Sequence, residues 1–229
     1  SIGHMSDNFL SLPLMPEKPR STGMTHVLDK GITLGSMESH LASYAEFADV
    51  WKFGWGTAYV EKLLPSKIGL LREHGITACL GGTLLEIAWS QGRASECLDW
   101  AERAGFTAIE VSRGVADMSM EAKWELIRTS AQSFRVFAET GYKSAERLLT
   151  PTQWHLEITG DLVAGAEYIV AEGRESGTVG LYDSHGMPQT EVIDAALLAA
   201  GLDRVLFEAP RKDQQAWFIN THGPEVNMG

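Results

Sequence analysis

The sequence predicts a single-domain α/β protein, a (β/α)8 barrel of the TIM type. Short apolar segments of β character alternate with helical segments from one end of the chain to the other. Most of these segments close on a polar residue and run into a turn bearing glycine or proline, and eight of them can be counted. Such alternation implies a parallel sheet with helices on its outer face, and eight units are the number that closes it. At 229 residues the chain is short for that fold. An open, doubly wound sheet is the alternative, but no Gly-x-Gly-x-x-Gly follows a strand, which weakens a dinucleotide-binding version of it.

Residues 1–5, Ser-Ile-Gly-His-Met, read as the scar of an expression tag. Residues 6–22 read as an N-terminal arm, rich in Pro and Ser and without a period, and 23–229 as the catalytic barrel domain. The first strand is 24–29, ending in Asp29-Lys30-Gly31, and 37–47 is helical. The second strand, 49–53, carries Lys52 and leads into Gly54-Trp55-Gly56-Thr57. Leu63, Leu64, Ile68 and Leu71 then recur at helical spacing. The third strand is 76–80, with Gly81-Gly82-Thr83 as a turn beyond it, and a helix at 95–104 stops at Gly105. Strand four is 107–112, with its helix starting near Ser119. Strand five is 134–139, followed by Thr140-Gly141-Tyr142-Lys143. Thr150-Pro151 opens a helix that runs to 165, as a capped N-terminus does. Strand six is 168–172, then Gly173-Arg174-Glu175-Ser176-Gly177 and a helix at 190–200. Strand seven, 204–208, ends at Glu208, because Pro210 lacks a backbone donor and biases its neighbour to extended geometry. A helix at 213–221 and a strand at 225–228 follow. Gly229 comes so soon after it that the closing eighth helix is expected to be missing.

Composition narrows the function. A net charge of -11 argues against nucleic acid or an anionic membrane as partner, though not against an anionic substrate in a locally basic pocket. No apolar run approaches the roughly 18–20 residues of a membrane helix, and a cytoplasmic protein is the simplest fit. Cys79 and Cys97 show neither metal spacing nor a disulfide framework, and Cys79 reads as a buried free thiol. The seven histidines show no metal spacing. Trp51, Trp55, Trp89 and Trp217 read as packing residues.

In such a barrel the active site lies at the C-terminal ends of the strands. The polar residues there are Asp29, Lys52, Glu110, Ser112, Glu139, Glu172, Arg174 and Glu208. Glu110, Glu139, Glu172 and Glu208 stand 29, 33 and 36 residues apart, one βα repeat each, so four successive strands bring a carboxylate to one rim. Crowded carboxylates raise one another's pKa, so a cation is required: Lys52, Lys143, Arg174, Lys212 or a divalent metal. Oxygen ligands without a His or Cys cluster favour a hard ion, Mg²⁺, with Glu139, Glu172, Glu208, Glu110 and Asp29 as candidate ligands. The alternative is that these glutamates form ion pairs tying strand ends together. The glycine-rich turns at 54–57, 81–83, 174–177 and 227–229 either offer backbone donors to a phosphate or are plain tight turns. The residues themselves therefore lead to a barrel enzyme acting on a small, phosphorylated anion with Mg²⁺.

Motifs carry the reading further. Lys18-Pro19-Arg20, Asp29-Lys30-Gly31, Lys52-Phe-Gly-Trp-Gly-Thr57, Gly81-Gly-Thr-Leu-Leu-Glu86, Gly105-Phe-Thr-Ala-Ile-Glu-Val-Ser112, Glu172-Gly-Arg-Glu-Ser-Gly177 and Phe207-Glu-Ala-Pro-Arg-Lys-Asp-Gln-Gln215 closely resemble the phosphosulfolactate synthase family, in order, from Lys18 to Gly229. The resemblance implies a Mg²⁺-dependent, homo-oligomeric (β/α)8 lyase that adds sulfite to C3 of phosphoenolpyruvate, giving 2-phospho-3-sulfolactate in the coenzyme M route. The candidate catalytic residues are then Lys143, Lys52, Arg174 and Tyr142, with Lys143 delivering the proton. The candidate substrate-binding residues are Arg20, Lys30, Gly82, Thr83, Ser112, Arg113, Ser176, Lys212, Gln215 and Asn227.

Two departures from the family pattern stand out. Glu139-Thr-Gly-Tyr-Lys143 replaces Glu-Val-Gly-Lys-Lys, and Ser112-Arg-Gly-Val115 replaces Ser-Asp-Gly-Ser. They are either harmless drift or the mark of a changed nucleophile such as phosphite. Two other readings are a non-catalytic relative of the plant heat-stress-associated type and a Schiff-base aldolase using Lys52 or Lys143.

Overall fold

Strand parity decides which side chains face the barrel axis. In the computed structural model, which describes residues 9–142 and 148–229, eight parallel strands follow one another in chain order. They are β1 (His26–Asp29), β2 (Val50–Phe53), β3 (Thr77–Leu80), β4 (Ala108–Val111), β5 (Arg135–Thr140), β6 (Tyr168–Ala171), β7 (Val205–Phe207) and β8 (Asn227–Met228). A parallel bridge from Thr25 to Met228, with the Met228 N–H donating to the Met24 carbonyl at 3.0 Å, joins the last strand to the first. Residues 1–5, expected to be a tag scar, and Lys143 lie outside the described residues.

Between the strands run α1 (Leu34–Tyr44), α2 (Thr57–Val60), α3 (Leu64–Glu73), α4 (Gly82–Ser90), α5 (Ala94–Ala104), α6 (Met120–Ser130), α7 (Pro151–Ala164), α8 (Thr190–Ala200) and α9 (Lys212–His222). Of these, α1, α3, α5, α6, α7 and α8 each bury an apolar stripe of two or more residues. Helix α7 starts as its sequence predicts, with Thr150 capping the Gln153 N–H, Gln153 answering to the Thr150 N–H, and Pro151 in the first turn. The turn expected at 81–83 is instead the beginning of α4. Gly81 is extended and Gly82, Leu85 and Glu86 form the buried face, so helical spacing of buried residues outweighs the two glycines. Trp55, expected to pack, is 58% exposed. Among the described residues no helix is long and apolar enough to cross a membrane.

The barrel interior is filled by Met24, Val50, Cys79, Ala108, Phe137, Tyr168, Val170 and Leu206. Side chains two residues apart on a strand share a face. One such step from Val50, Ala108, Phe137, Val170 and Leu206 therefore leads to Lys52, Glu110, Glu139, Glu172 and Glu208, on the same face but nearer the mouth.

Two expected substrate residues lie at the other end of the barrel. Arg20 is buried, with its guanidinium 2.8 Å from Asp49, just ahead of β2, and donating to the Pro16 and Glu46 carbonyls. It fastens the arm to the N-terminal face of the sheet. The Asn227 side chain accepts from the Met24 N–H at 3.0 Å and donates to the Asp203 and Val205 carbonyls, so it closes the barrel wall between β7, β8 and β1. Its motif near the chain end suggested a phosphate turn, but the side chain is consumed by backbone groups at strand starts.

Candidate active site

The centre of the mouth is a buried lysine surrounded by carboxylates. Lys52 Nζ stands 2.6 Å from Glu110, 3.6 Å from Glu208 and 3.9 Å from Glu139. Burial disfavours the ammonium, but Glu110, Glu208 and Glu139 outweigh it and hold Lys52 well above the ordinary lysine range. A Schiff-base lysine must be neutral to attack, so this geometry opposes the aldolase reading at Lys52. Below it, His26 is pushed down to about 4 by burial and then by Lys52, which leaves a neutral imidazole at the floor of the site.

Glu139, Glu172 and Glu208 each present an oxygen, all within 4.8 Å of one another. The β6–α8 loop shapes this group. The Gly173 and Arg174 N–H groups both donate to Glu208, at 3.0 and 3.2 Å, and the Arg174 N–H also reaches Glu172 at 2.6 Å. Aiming that N–H requires Arg174 in the left-handed region at φ 55°, which strains a non-glycine residue. Gly173 lies so close to Tyr182 and the Glu208 carbonyl that a β-carbon would not fit. For Glu208, burial raises the carboxyl pKa, but Lys52, a hydrogen bond with Glu172 and the Gly173 N–H bring it below the usual range. Three carboxylates without His or Cys form the donor set of a hard divalent cation.

The two other expected metal ligands are directed elsewhere. Glu110 spends one oxygen on Lys52 and the other on the Gly82 N–H at 3.1 Å, and it is not among the three carboxylates that converge. Asp29 faces outward, since its strand alternates against His26. It accepts from the Gly31 and Ile32 N–H groups and from Trp51 Nε1, with Lys67 3.7 Å away, and so folds the loop after β1.

The remaining candidates divide in the same way. Gly82 commits its N–H to Glu110, and a β-carbon there would overlap Ser112 Oγ. Ser112 donates a short hydrogen bond to Glu86. Thr83 lies beside them in the first turn of α4. Arg113 turns away from the axis into the α6–α7 layer, where Glu157 receives it bidentately at 2.8 and 2.7 Å and Tyr142 meets it. The expectation that Arg113 faces substrate is therefore corrected: a buried carboxylate on α7 outcompetes the mouth for its charge. At the rim, Lys30 pairs with Glu175 at 3.0 Å and lies over the exposed Trp55 ring, bringing the loop after β1 to the loop after β6. Ser176 Oγ bonds Thr178, and Gln215 Nε2 donates to the Ala209 carbonyl at 2.8 Å. Lys212 and the Arg174 side chain are exposed.

Sequence reasoning missed Glu86 as a builder of the site. Besides Ser112 it accepts from the Gly114, Val115 and Ala116 N–H groups at 3.2, 2.9 and 2.6 Å, folding the loop after β4 around one carboxylate. Its spacing from Gly82 and Leu85 on a helix face was the available signal. Gln214 was passed over too. It is buried, and its amide holds the Gly177 and Gly186 carbonyls at 3.0 Å, anchoring the β6–α8 loop.

The profile of the (2R)-phospho-3-sulfolactate synthase (ComA) family matches residues 13–229. The phosphosulfolactate synthase of Bacillus subtilis is 37% identical over 227 residues, covering 98% of this chain and 90% of that protein. The enzyme of the same name from Methanocaldococcus jannaschii is 38% identical over 212 residues, covering 90% and 84%. Among solved structures, 3-hexulose-6-phosphate synthase from Salmonella typhimurium superposes with a TM-score of 0.58 at 12% identity, over 90% of this chain and 87% of that one, a likeness of fold alone. A match of this extent to a family profile and to two proteins that bear its name makes the chain a member of the phosphosulfolactate synthase family.

Proposed function

We propose that this protein adds sulfite to C3 of phosphoenolpyruvate to give 2-phospho-3-sulfolactate, with Mg²⁺ held by Glu139, Glu172 and Glu208. The observation that supports this most directly is the convergence of those three carboxylates beside a lysine locked in its charged form. Sulfur attacks C3, the C2–C3 π electrons move toward the substrate carboxylate, and an acid then adds a proton at C2. A divalent cation at the triad would supply electrostatic stabilisation for the charge gathering on that carboxylate. Lys52 contributes a fixed positive charge to the same region and cannot transfer its proton readily, since three glutamates retain it. Arg174 and Lys212, exposed at the rim, are assigned to the phosphate. Lys143, next in the chain after Tyr142, is assigned proton delivery to C2.

Sulfite is favoured over a changed nucleophile because Arg113 and Tyr142, the two departures that suggested one, contact each other, and Glu157 receives the Arg113 guanidinium. With Mg²⁺ and phosphoenolpyruvate, sulfite is expected to yield a phosphorylated sulfonate by ³¹P NMR and phosphite no product. Consumption of phosphoenolpyruvate with phosphite alone, or with neither, would reject this reading.

Self-association belongs to the same proposal. Phe9, Leu10, Leu12, Leu14 and Met15 are exposed along the arm, and packing them costs less against a second copy than leaving them in water. Light scattering is expected to give an oligomer, and a monomer at micromolar concentration would remove this part.

A further inference from the structure

Behind the triad lies a buried charge network that the proposed reaction does not use. Lys123, on α6, is fully buried and spends its three donors on the Glu139 carbonyl at 2.6 Å, Glu157 at 2.9 Å and Asp161 at 2.7 Å. Glu157 and Asp161 stand one turn apart on α7. Glu157 also receives the Arg113 fork, and Asp161 accepts from Thr140 Oγ1 at 3.3 Å. Arg113 Nη1 in turn donates to the Tyr142 hydroxyl, and its guanidinium stacks 5.0 Å from the Tyr142 ring centre.

The path leaves β5 at Glu139 and returns to the same segment at Tyr142. Two cations and two carboxylates compensate one another along it, as buried charges must. Between its ends, Gly141 has φ 116° and is wedged so tightly that a β-carbon would stand 2.8 Å from Glu172 Cβ and 3.1 Å from the Trp154 ring. The segment that carries Glu139 toward the mouth is thus gripped from behind at both ends, with no slack in the middle.

We propose that Arg113 and Tyr142 are positioning residues: with Glu157 and Lys123 they clamp the end of β5, so that the Glu139 carboxylate is held in register with Glu172 and Glu208. The two departures from the family pattern are then one device, because each is the other's contact. The inference rests on the reading of Glu139 as a metal ligand, and its test separates the two. Tyr142→Phe removes only the hydroxyl, and Arg113→Lys keeps the charge but loses the fork.

Hydrogen–deuterium exchange on the free protein is expected to quicken about tenfold at residues 140–142 in both variants, with the rest of the barrel unchanged. Binding of Mn²⁺, followed by its electron paramagnetic resonance, is expected to weaken by about 10–100-fold, the usual cost of losing an outer partner of a metal ligand. A merely structural role would spread the exchange and lower the melting temperature without confining the change to this segment. Unchanged exchange at 140–142 in both variants overturns the clamp. Faster exchange with unaltered Mn²⁺ affinity overturns its link to Glu139. A wild-type protein that takes up no Mn²⁺ instead overturns the metal reading, while the exchange result still decides the clamp.

Discussion

Lys52→Met is expected to destabilise the protein by about 3–5 kcal/mol, the cost of removing one partner from a buried ion cluster. For a chain of this size that lowers the melting temperature by roughly 10 °C. The lysine side chain is 6% exposed, and its ammonium is within 4 Å of Glu110, Glu139 and Glu208, so methionine fills the space and withdraws the charge. Two further measurements distinguish this cause from a packing defect. Mg²⁺ at millimolar concentration should recover more stability in the variant than in wild type, since a second cation replaces part of the first. Acid should narrow the gap between the two proteins. Glu208 has its folded pKa depressed, so its contribution is present above its unfolded value, about 4.3, and disappears as pH falls through the folded one. Lys52 has its folded pKa raised, so its contribution is complete below about 10.4 and is lost only as pH rises past the folded value. The stability difference should therefore be full at neutral pH and shrink below about pH 4. Equal melting temperatures for the two proteins at pH 7 would show that Lys52 does not carry the charge balance of the mouth.

Glu172→Gln has the opposite profile: large in function and small in stability. Glu172 and Glu208 are hydrogen-bonded to each other, and that contact is among those that hold Glu208 below the usual carboxylate range. Glutamine is isosteric, can donate to Glu208 and removes one negative charge from the cluster, so the melting temperature in the absence of metal should stay within about 2 °C or rise. Affinity for Mg²⁺ or Mn²⁺ should fall by more than about 100-fold, beyond the loss seen for outer partners, and turnover should fall with it. Protons compete with a cation for carboxylate oxygens, so wild-type binding should also weaken in acid, with any proton displaced on binding released to the buffer. That pH dependence should be weaker in the variant. Isothermal titration in two buffers of different ionisation enthalpy measures both quantities. Undiminished cation affinity in Glu172→Gln would remove the triad as the metal site.

Much of this architecture was legible residue by residue, and the failures have a common origin. Glu110, Glu139, Glu172 and Glu208 could be placed at one rim because each closes an apolar strand and recurs at the length of one βα unit. Asp29 closes a strand in the same way and is nevertheless turned outward, because a one-residue change of parity reverses the face and nothing local reports it. Helix α4 was hidden by the glycines at its start, one of which is needed so that Ser112 and Glu110 can approach its backbone. Arg113 follows Ser112 at a strand end and has the charge of an anion-binding residue. Its direction is decided by Glu157, which lies 44 positions further along and belongs to a different helix.

Alternation, repeat length and the polar residue ending each strand determine from sequence alone that the chain forms an eight-stranded parallel barrel with acidic groups at its C-terminal mouth. Those are properties of the backbone period and of hydrophobic burial, which act locally and recur in every unit. The pairings among these charged groups are settled only by the closed structure. Glu110 is given to Lys52, Asp29 to its own loop and Arg113 to Glu157, while Glu139, Glu172 and Glu208 are left facing one another. A buried charge takes the nearest group that compensates it, and nearness across a barrel exists only once the strands have closed.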